Sequence, residues 1–470
     1  SAPTLGQTFT INGSTTITWT TSGTVGTVTL SYSLDDFATQ TLITATPIAN
    51  TGSLAWTVPD AISTNVKVKA VDADAGHPAS EAISATFTIK GSLTLTAPVS
   101  GDLFTVGQGT TITWAKTGTI NTVNLFYSTD DFTSQTPIAS GVAGTSLAWT
   151  VPDAISANVK VRVVDADPGH PATVVTSAAF TIQGGLSVTA PAAGDLFTVG
   201  SGTTITWTKT GTIATVNLSY STDDFATQTL ITATPIANTG SLAWTVADAI
   251  GTNVKVKVVD ADAGHPASEG ISAAFTITGA LSVTAPTTGD VLNVNGGTTI
   301  TWTKTGTIPT VDLFYSVDDF TTQTLIASAV GGTSLAWTVP DAISTNVKVK
   351  VVDADAGHPA TDATSAAFTI KADLTVSAPT AGQTFTINDS TTIIWTTSGT
   401  VATVTLSYST DDFATSTLIT ATPIANTGSL AWTVPDALST NVKVKVVDAD
   451  AGHPATEATS AAFTIKGGLT

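Results

Sequence analysis

The stretch SLAWTVPDAISANVKVRVVDAD, residues 146–167, decides the fold that this sequence predicts. In its second half, from Val159 to Val163, valines alternate with Lys160 and Arg162, so the valines share one face and the basic side chains the other. Alternation with a period of two is typical of a β-strand that has one face in a core. SLAWTV alternates in the same way, and VPDA is a turn sequence. The stretch therefore predicts two short strands joined by a turn.

The same stretch returns along the chain, so the sequence is a tandem repeat. An Ala-Pro dipeptide opens each of five copies, at spacings of 95, 93, 95 and 93 residues. The two extra residues lie in one loop, which reads ITATPIANTGSLAW in odd copies and is similar to PIASGVAGTSLAW in even copies. We infer that a unit of two domains was duplicated. The predicted domains have an ordinary size and are called modules 1 to 5: 1–92, 93–185, 186–280, 281–373 and 374–470.

Each module predicts an all-β fold. Alternating segments such as TTITW (110–114) and TVNLFYS (122–128) are separated by turn residues and add up to about seven or eight short strands. No segment has a convincing helical period. Strands of this length and spacing are typical of an immunoglobulin-like sandwich of two antiparallel sheets. Two tryptophans per module, Trp114 and Trp149 in module 2, fit the core of this sandwich better than a sugar-stacking platform.

The composition argues against several classes of protein. With 35 acidic against 16 basic residues the net charge is −19, which argues against nucleic-acid binding and permits binding of cations. No apolar run approaches the roughly 20 residues of a membrane span, so no membrane insertion of this segment is expected. The sequence contains no cysteine, which removes disulfides, thiol nucleophiles and zinc–thiolate sites.

No catalytic arrangement stands out. Serine and threonine occur on every predicted strand, so their presence does not indicate a nucleophile. Paired carboxylates such as Asp35 and Asp36 are sequence neighbours and point to different sides of an extended chain. Near-identical copies multiply length and valency instead of turnover at one site. We therefore expect no enzyme activity and no required cofactor.

The segments TITW, W-x-VPD, a valine-rich strand and S-x-x-F-x-I follow one another in the repeat. Together they resemble the immunoglobulin-like domain of the yeast cell-wall synthesis and Ser/Thr-rich GPI-anchored protein family, relatives of which recur in bacterial secreted proteins. The resemblance covers all five modules and implies a fibronectin- or immunoglobulin-like sandwich in an extracellular or wall-associated protein. A GPI signal is not visible in this sequence, which leaves the anchoring open.

The linkers between modules are short. Segments such as KGSLTLT, residues 90–96, lead from the last strand of one module into the first strand of the next, with one or two glycines and no flexible spacer. Little freedom between modules is expected, so the sequence predicts a stiff rod. Five modules of about 35–45 Å each would span roughly 200 Å.

The two ends of the sequence are complementary. It begins at Ser1–Pro3 without a first strand, and it stops at Gly467–Thr470 at the opening of a further strand. This arrangement fits a segment of a longer repeat protein, and it also fits head-to-tail donation of a strand between copies of the chain. Copies of the same chain, arranged head to tail or laterally, are therefore the expected partners.

Aspartates occur in three turns of each module: DDF after strand C, VPDA after strand E and DAD after strand F. The first two turns fall at one end of a sandwich and the third at the other, so we expect them to meet across a joint between modules. Carboxylates crowded in this way would repel one another without a cation, and calcium takes six to eight oxygen ligands of this kind. The candidate calcium ligands are, joint by joint, Asp35, Asp36, Asp60, Asp165 and Asp167; Asp130, Asp131, Asp153, Asp260 and Asp262; Asp223, Asp224, Asp248, Asp353 and Asp355; Asp318, Asp319, Asp341, Asp448 and Asp450.

Two other interpretations compete with calcium. Aspartate is a favoured turn residue, because its side chain accepts hydrogen bonds from nearby backbone N–H groups, and no D-x-D-x-D-G loop is present. One histidine also follows each DAD turn: His77, His170, His265, His358 and His453. Such a histidine with two aspartates could bind a transition metal. Because it lies past a turn, we expect a solvent-facing turn residue instead.

These observations favour an extracellular structural repeat protein: a fibre, stalk or adhesin shaft that gives reach and stiffness at a cell surface. One alternative is a tandem module that binds carbohydrate or cell-wall glycan through exposed aromatic side chains such as Phe126 and Phe314. The other is a surface-layer protein, which would form two-dimensional arrays.

Overall fold

A computed structural model describes residues 1–78 and 80–468 of the chain. Within these ranges the chain forms strands and turns but no helix, and therefore no helix long and apolar enough to cross a membrane. Five clusters of buried apolar side chains follow one another, one for each module. The protein is thus an all-β rod of five tandem immunoglobulin-like sandwiches, as predicted. Of the further strand predicted at the end, residues 469–470 lie outside the described residues.

The strands are numbered in chain order. Module 1 contains β1 (Thr8–Thr10), β2 (Ser14–Thr18), β3 (Thr27–Ser33), β4 (Thr41–Leu42), β5 (Ile48–Ala49), β6 (Ser53–Thr57), β7 (Ser63–Asp72), β8 (Glu81–Ile83) and β9 (Phe87–Lys90). Module 2 contains β10 (Ser92–Ala97), β11 (Leu103–Thr105), β12 (Gly109–Thr117), β13 (Thr122–Ser128), β14 (Thr136–Ala143), β15 (Ser146–Thr150), β16 (Ser156–Asp165), β17 (Val174–Thr176) and β18 (Phe180–Gln183). Module 3 contains β19 (Gly185–Ala190), β20 (Leu196–Thr198), β21 (Gly202–Thr210), β22 (Thr215–Ser221), β23 (Thr229–Leu230), β24 (Ile236–Ala237), β25 (Ser241–Thr245), β26 (Gly251–Asp260) and β27 (Glu269–Ile271).

Strand β28 (Phe275–Ala285) closes module 3 and opens module 4. Module 4 continues with β29 (Val291–Asn293), β30 (Gly297–Thr305), β31 (Thr310–Ser316), β32 (Thr324–Gly331), β33 (Ser334–Thr338), β34 (Ser344–Asp353), β35 (Ala360–Thr361), β36 (Ala363–Thr364) and β37 (Phe368–Lys371). Module 5 contains β38 (Asp373–Ala378), β39 (Thr384–Thr386), β40 (Ser390–Ser398), β41 (Thr403–Ser409), β42 (Thr417–Leu418), β43 (Ile424–Ala425), β44 (Ser429–Thr433), β45 (Ser439–Asp448), β46 (Glu457–Thr459) and β47 (Phe463–Lys466).

Two sheets face each other in every module. In module 2 the larger sheet has the order β11-β18-β16-β13-β14, with β17 beside β16, and the smaller has the order β10-β12-β15. The pair β11 and β18 is parallel, in addition to the predicted antiparallel pairs. It arises because the chain first pairs in the smaller sheet as β10 and then crosses to the larger sheet at the cis Ala97–Pro98 bond. The opening strand therefore helps to tie the two sheets together.

The tryptophans lie between the two sheets, as predicted. Trp114 is 2% and Trp149 7% exposed. The Trp149 ring packs against Tyr127 and Phe180, with centroid separations of 6.2 and 6.4 Å. Aromatic contacts of this kind add to the free energy gained by apolar burial. These rings are therefore core residues and are not available to stack on a sugar.

Within the described residues the modules contain nine or ten strands, more than the predicted seven or eight. The last strand of each module is broken in two, and in odd modules the strand that follows the DDF turn is broken as well. In module 2 the break between β17 and β18 contains the buried Ser177. Its hydroxyl accepts a hydrogen bond from the Val161 N–H at 2.9 Å, and its own N–H donates to the Val161 carbonyl at 2.8 Å. A side-chain oxygen thus replaces a backbone partner where the strand beside β16 is interrupted.

In odd modules, the loop that differs in length from that of even modules accepts a hydrogen bond from a buried tryptophan. In module 3 the Trp207 indole Nε1 donates to Asn238 Oδ1 at 2.7 Å, and Asn238 Nδ2 donates to the Ile213 carbonyl at 3.1 Å. Even modules have no asparagine at this place, and the buried Nε1 atoms of Trp114 and Trp302 have no hydrogen-bond partner within the described ranges. The odd modules, which have two more residues in this loop, thus provide a hydrogen-bond acceptor for the tryptophan indole, and the even modules do not.

Consecutive modules are joined almost strand to strand. A single residue separates β9 from β10, and β28 runs from module 3 into module 4 without a break. This agrees with the short linkers read from the sequence.

Candidate functional site

The joints between modules are the candidate functional site, because the same polar contact recurs in each. At the joint of modules 2 and 3, Thr212 donates to Asp153 from its backbone N–H at 3.0 Å and from its hydroxyl at 2.5 Å. The aspartate belongs to the VPDA turn of one module and the threonine to the TGT turn of the next. The corresponding pairs are Thr119 with Asp60, Thr307 with Asp248, and Thr400 with Asp341.

Each joint also has an apolar half. Ile155, at the end of module 2, packs against the core of module 3 together with Leu186. The linker residue Gly184 lies so close to Ile213 that a Cβ at this position would come within 2.6 Å of the isoleucine Cδ1. At the last joint Ala372 replaces the glycine and Val401 replaces the isoleucine, and both are buried. An added methyl group on the linker is thus matched by a smaller side chain opposite, which preserves close packing.

Glycine is required in the TGT turn that enters the joint. Gly211 has a φ of +82°, in the left-handed region. A Cβ there would also lie 3.0 Å from Val106 Cγ2 and 3.1 Å from Asp153 Oδ1 of the preceding module. Backbone conformation and close approach therefore both select glycine.

The turn at the joint is held from both sides by aspartates. At the last joint, Asp341 of module 4 accepts from Thr400, and Asp450 of module 5 accepts from the Ala402 N–H at 2.5 Å and the Thr403 hydroxyl at 2.6 Å. The hydrogen bond from the Thr403 hydroxyl is the main reason why the pKa of Asp450 lies below its usual value. The VPDA aspartate of one module and the DAD aspartate of the next thus hold the same turn, and its N–H and O–H groups lie between them.

The calcium site across the joints stays a prediction. Within the described residues, the acidic and histidine groups whose ligand atoms lie close enough to share an ion come from single modules. Binding calcium at a joint would therefore require the VPDA aspartate to share oxygens that already accept hydrogen bonds from threonine.

The DDF aspartates make hydrogen bonds within their own module. Asp223 accepts from the Thr227 hydroxyl at 2.7 Å and from the Ser221 hydroxyl at 2.7 Å. These donors, with the Thr227 N–H, lower the pKa of Asp223 to about 2. The next residue, Asp224, forms an ion pair with Lys255 on the neighbouring strand. The DDF turn is thus a fully hydrogen-bonded element of the sandwich end.

The histidines were expected to face solvent, and this is wrong for modules 2 to 5, where the ring is partly buried. In module 2 the His170 side chain is 21% exposed, and its Nδ1 lies 3.2 Å from Asp165 Oδ2 and 3.6 Å from Asp167 Oδ2. The turn after the DAD segment brings the ring back over both carboxylates, which reasoning from an extended strand does not capture. The fivefold recurrence of D-x-D-x-x-H in the sequence was the signal for this cluster. The same cluster occurs in modules 1, 3 and 5.

Module 4 departs from this arrangement because of one residue. Pro309 stands where module 3 has Ala214, and proline has no N–H to donate to the DAD aspartate. Asp355 instead accepts from the Gly357 N–H at 2.9 Å. His358 Nδ1 then lies 3.8 Å from Asp353 Oδ2. Both atoms are buried and lack a hydrogen-bond partner among the residues described.

The aromatic side chains proposed as a sugar platform are not fully exposed. Phe126 and Phe314 are half-buried on the outer face of their sheets, which corrects the expectation from the sequence. Phe126 lies opposite Arg162 of the neighbouring strand. The Arg162 guanidinium lies over the Phe132 ring, 3.7 Å from its centroid. A long basic side chain therefore lies over part of this outer surface.

Clefts open beside two of the joints. One, of about 410 Å³, is lined by Tyr127, Asp153 and Ile155 of module 2 and by Thr212 and His265 of module 3. A second, at the joint of modules 4 and 5, is lined by the corresponding Tyr315, Asp341 and Ile343. In the first cleft the VPDA turn of one module and the histidine loop of the next thus border the same space, whereas the residues lining the second all belong to module 4.

No family model matches the chain, and no curated protein matches it. Among solved structures it is similar to the N-terminal eight immunoglobulin domains of Down syndrome cell adhesion molecule isoform 1.30.30, at 10% identity over 99% of this chain and 60% of that one, with a TM-score of 0.23. Sidekick-1 immunoglobulin domains 1–5 match at 9% identity over 100% of this chain and 98% of that one, with a TM-score of 0.23. A tetra-tandem repeat in the extending region of a large adhesion protein matches at 15% identity over 80% of this chain and 99% of that one, with a TM-score of 0.31.

Proposed function

We propose that this chain is a shaft segment of an extracellular fibre, stalk or adhesin, and that it gives reach and stiffness at a cell surface without enzyme activity. The observation that carries this proposal is the repetition of one joint, with an Asp–Thr pair and a buried linker residue, at all four boundaries between modules. Kinship with the yeast cell-wall family remains part of the proposal, and it rests on the sequence motifs alone.

The joint resists bending because three restraints act on the same two modules. The linker is a strand with almost no slack, the VPDA aspartate holds the next module by its TGT turn, and an isoleucine such as Ile155 packs against the next core. Bending in any direction has to break the polar contact or expose the apolar one. A chain with four such joints is expected to behave as a rod instead of a string of independent domains.

Small-angle X-ray scattering of the full chain tests the proposal. A rod of five modules should have a maximum dimension of roughly 200 Å. The cross-sectional Guinier plot of its scattering should be linear at low angle. Independent tumbling of the modules, seen as a broad distribution of dimensions, would contradict it. Turnover of a substrate by the purified chain would equally contradict the non-enzymatic part.

Copies of the same chain are the proposed partners. The end of module 5 carries Asp436 and Leu438 where module 4 carries Asp341 and Ile343, and Leu438 is 64% exposed. We propose that such a face accepts the TGT turn of another module of this kind. Sedimentation of the chain over a range of concentrations tests this, with Leu438→Asp as the variant that should abolish any association.

Calcium at the joints and binding of wall glycan are the two remaining proposals. The crowding of VPDA and DAD aspartates at one turn supports the first, and melting with and without EGTA tests it. The tyrosine in the clefts beside the joints, Tyr127 and Tyr315, supports the second. A glycan pull-down with the full chain tests it, and a shaft alone predicts no saturable binding.

A further inference from the structure

We propose that the D-x-D-x-x-H loop of each module binds a divalent transition-metal ion of the zinc type, with the histidine as a ligand. The ligands of this site lie within one module, and in modules 2 to 5 its aspartates are also among the candidate calcium ligands at the joints, so the two ions would compete for them. The inference stands on the loop geometry and does not depend on the proposed role as a shaft.

Module 4 carries the decisive observation. The Asp353 side chain is only 4% exposed, and its Oδ2 has no hydrogen-bond partner in the described part of the chain, although Oδ1 accepts from the Asp355 N–H at 3.0 Å. His358 Nδ1 is buried and unpartnered as well. A buried carboxylate oxygen without a donor costs free energy unless a cation or a proton satisfies it. Two such atoms face each other in this loop.

The separation of the two atoms fits a shared metal ion. His358 Nδ1 and Asp353 Oδ2 are 3.8 Å apart, too far for a hydrogen bond. Zinc binds imidazole nitrogen and carboxylate oxygen at about 2.0–2.2 Å, which places two ligands of one tetrahedral ion roughly 3.4 Å apart. A shift of a few tenths of an ångström therefore allows both atoms to bind the same ion.

The other modules hold the same ligands closer together. The histidine Nδ1 lies 3.2 Å from Asp72 Oδ2 in module 1 and 3.0 Å from Asp260 Oδ2 in module 3. In four modules the second aspartate completes a cluster of three potential ligands: Asp72, Asp74 and His77; Asp165, Asp167 and His170; Asp260, Asp262 and His265; Asp448, Asp450 and His453. Three protein ligands leave one coordination position for water or a partner.

The donor set decides the class of ion. Imidazole nitrogen suits zinc and its first-row neighbours, whereas calcium requires six to eight oxygen ligands. Two carboxylates and one imidazole are too few oxygens for calcium within one loop. We therefore expect transition metals to bind and millimolar calcium not to displace them.

Titration of the full chain with Co²⁺ tests the proposal, because cobalt bound to imidazole and carboxylate gives a visible absorption band. We expect five ions per chain, and module 4 should titrate as a separate step, because its two ligands give up no hydrogen bond whereas the other modules offer three ligands. Its affinity should differ from that of the other four by roughly tenfold, which corresponds to about 1.4 kcal/mol. Zinc should displace the cobalt signal.

The variant His358→Asn should remove this separate binding step and leave four ions. The matched control is Asp319→Asn, which removes an exposed carboxylate of the same module, paired with Lys348 at 2.6 Å and outside the loop. The control should bind all five ions.

A reciprocal pair of variants changes no ligand. Pro309→Ala restores the N–H that anchors the second aspartate in other modules, so the separate binding step should merge with the remaining four. Ala214→Pro should give module 3 the loop of module 4 and create a second site that titrates like that of module 4. Both variants remain informative if His358→Asn fails to fold. Binding that is absent up to millimolar cobalt, or that His358→Asn and Pro309→Ala leave unchanged, overturns the proposal.

Discussion

Asp153 of module 2 accepts hydrogen bonds from the Thr212 hydroxyl and backbone N–H of module 3, so side chains as well as the linker strand fix the angle between the modules. The aspartate belongs to a turn that follows strand β15, and the threonine to a turn that follows β21. Each partner therefore lies in a turn that connects the two sheets of its own sandwich, and the pair reports directly on how the two sandwiches are oriented.

Replacing Asp153 with alanine should loosen this joint. Hydrogen bonds to a charged group typically contribute about 1.5–3 kcal/mol, and less where solvent reaches them. We expect the distance distribution between spin labels on modules 2 and 3 to broaden while the melting temperature changes little. Asp131→Ala, which removes an ion pair with Lys160 inside module 2, is the control and should leave the distribution unchanged. An equally narrow distribution in Asp153→Ala would show that the linker alone sets the angle.

Gly211→Ala should disturb the same joint more strongly. The positive φ is unfavourable for alanine, and its Cβ would press against Val106 Cγ2 and Asp153 Oδ1. We expect the substitution to lower the free energy of unfolding by about 1–2 kcal/mol. We also expect a bend between modules 2 and 3 that scattering data should detect. Gly264→Ala, which has a similar φ but no atom within 4 Å of the added Cβ, separates backbone strain from the contact at the joint. Only the first variant should bend the rod.

Asn238→Ala should destabilise module 3 by about 1 kcal/mol, because the buried Trp207 Nε1 loses its acceptor. The measurement is the thermal unfolding of the full chain followed by tryptophan fluorescence. Thr239→Ala, next to it in the same loop, removes an exposed hydroxyl and serves as the control. Equal melting curves for the two variants would mean that the indole cap does not stabilise the odd modules.

Acid should weaken the DDF turns within a defined range of pH. Hydroxyl and N–H donors lower the pKa values of Asp130, Asp223 and Asp411 to about 2 in the folded protein. Because these values lie below the usual aspartate pKa of about 3.9, the stabilisation is present above that pH and is lost as pH falls toward 2. Ser134→Ala should raise the pKa of Asp130, whose main donor it removes, and NMR titration of the carboxyl carbons would detect the change. An unchanged Asp130 titration would refute the assignment of the cause.

Much of the fold could be predicted because the repeat displays its hydrophobic pattern five times. The alternation from Val159 to Val163 predicts a strand with one buried face, and these valines are fully buried. The short linkers likewise predicted the continuity seen in β28. Such features depend on local sequence, where the period of two is a reliable guide.

The details of the site depend on contacts between distant residues and could not be read in the same way. The partners Asp60 and Thr119 are 59 residues apart and belong to different modules. The His170 ring folds back over Asp165 because of a turn whose geometry the sequence does not state. The effect of Pro309 on Asp355 likewise becomes visible only when both are placed in one loop.

The match between Ala372 and Val401 has a consequence for how such a chain can change in length. Each half of a joint is encoded in a different copy, so recombination that deletes all of module 3 would bring Gly184 against Ile308 and regenerate an equivalent fit. Loss of module 4 would instead place Gly279 opposite Val401 and leave a void. Duplication of module 4 would place Ala372 against Ile308, and a Cβ on the linker at this joint would come within 2.9 Å of the Ile308 Cδ1. Modules joined by a glycine and an isoleucine can thus replace one another, whereas modules 4 and 5 fit each other only as a pair.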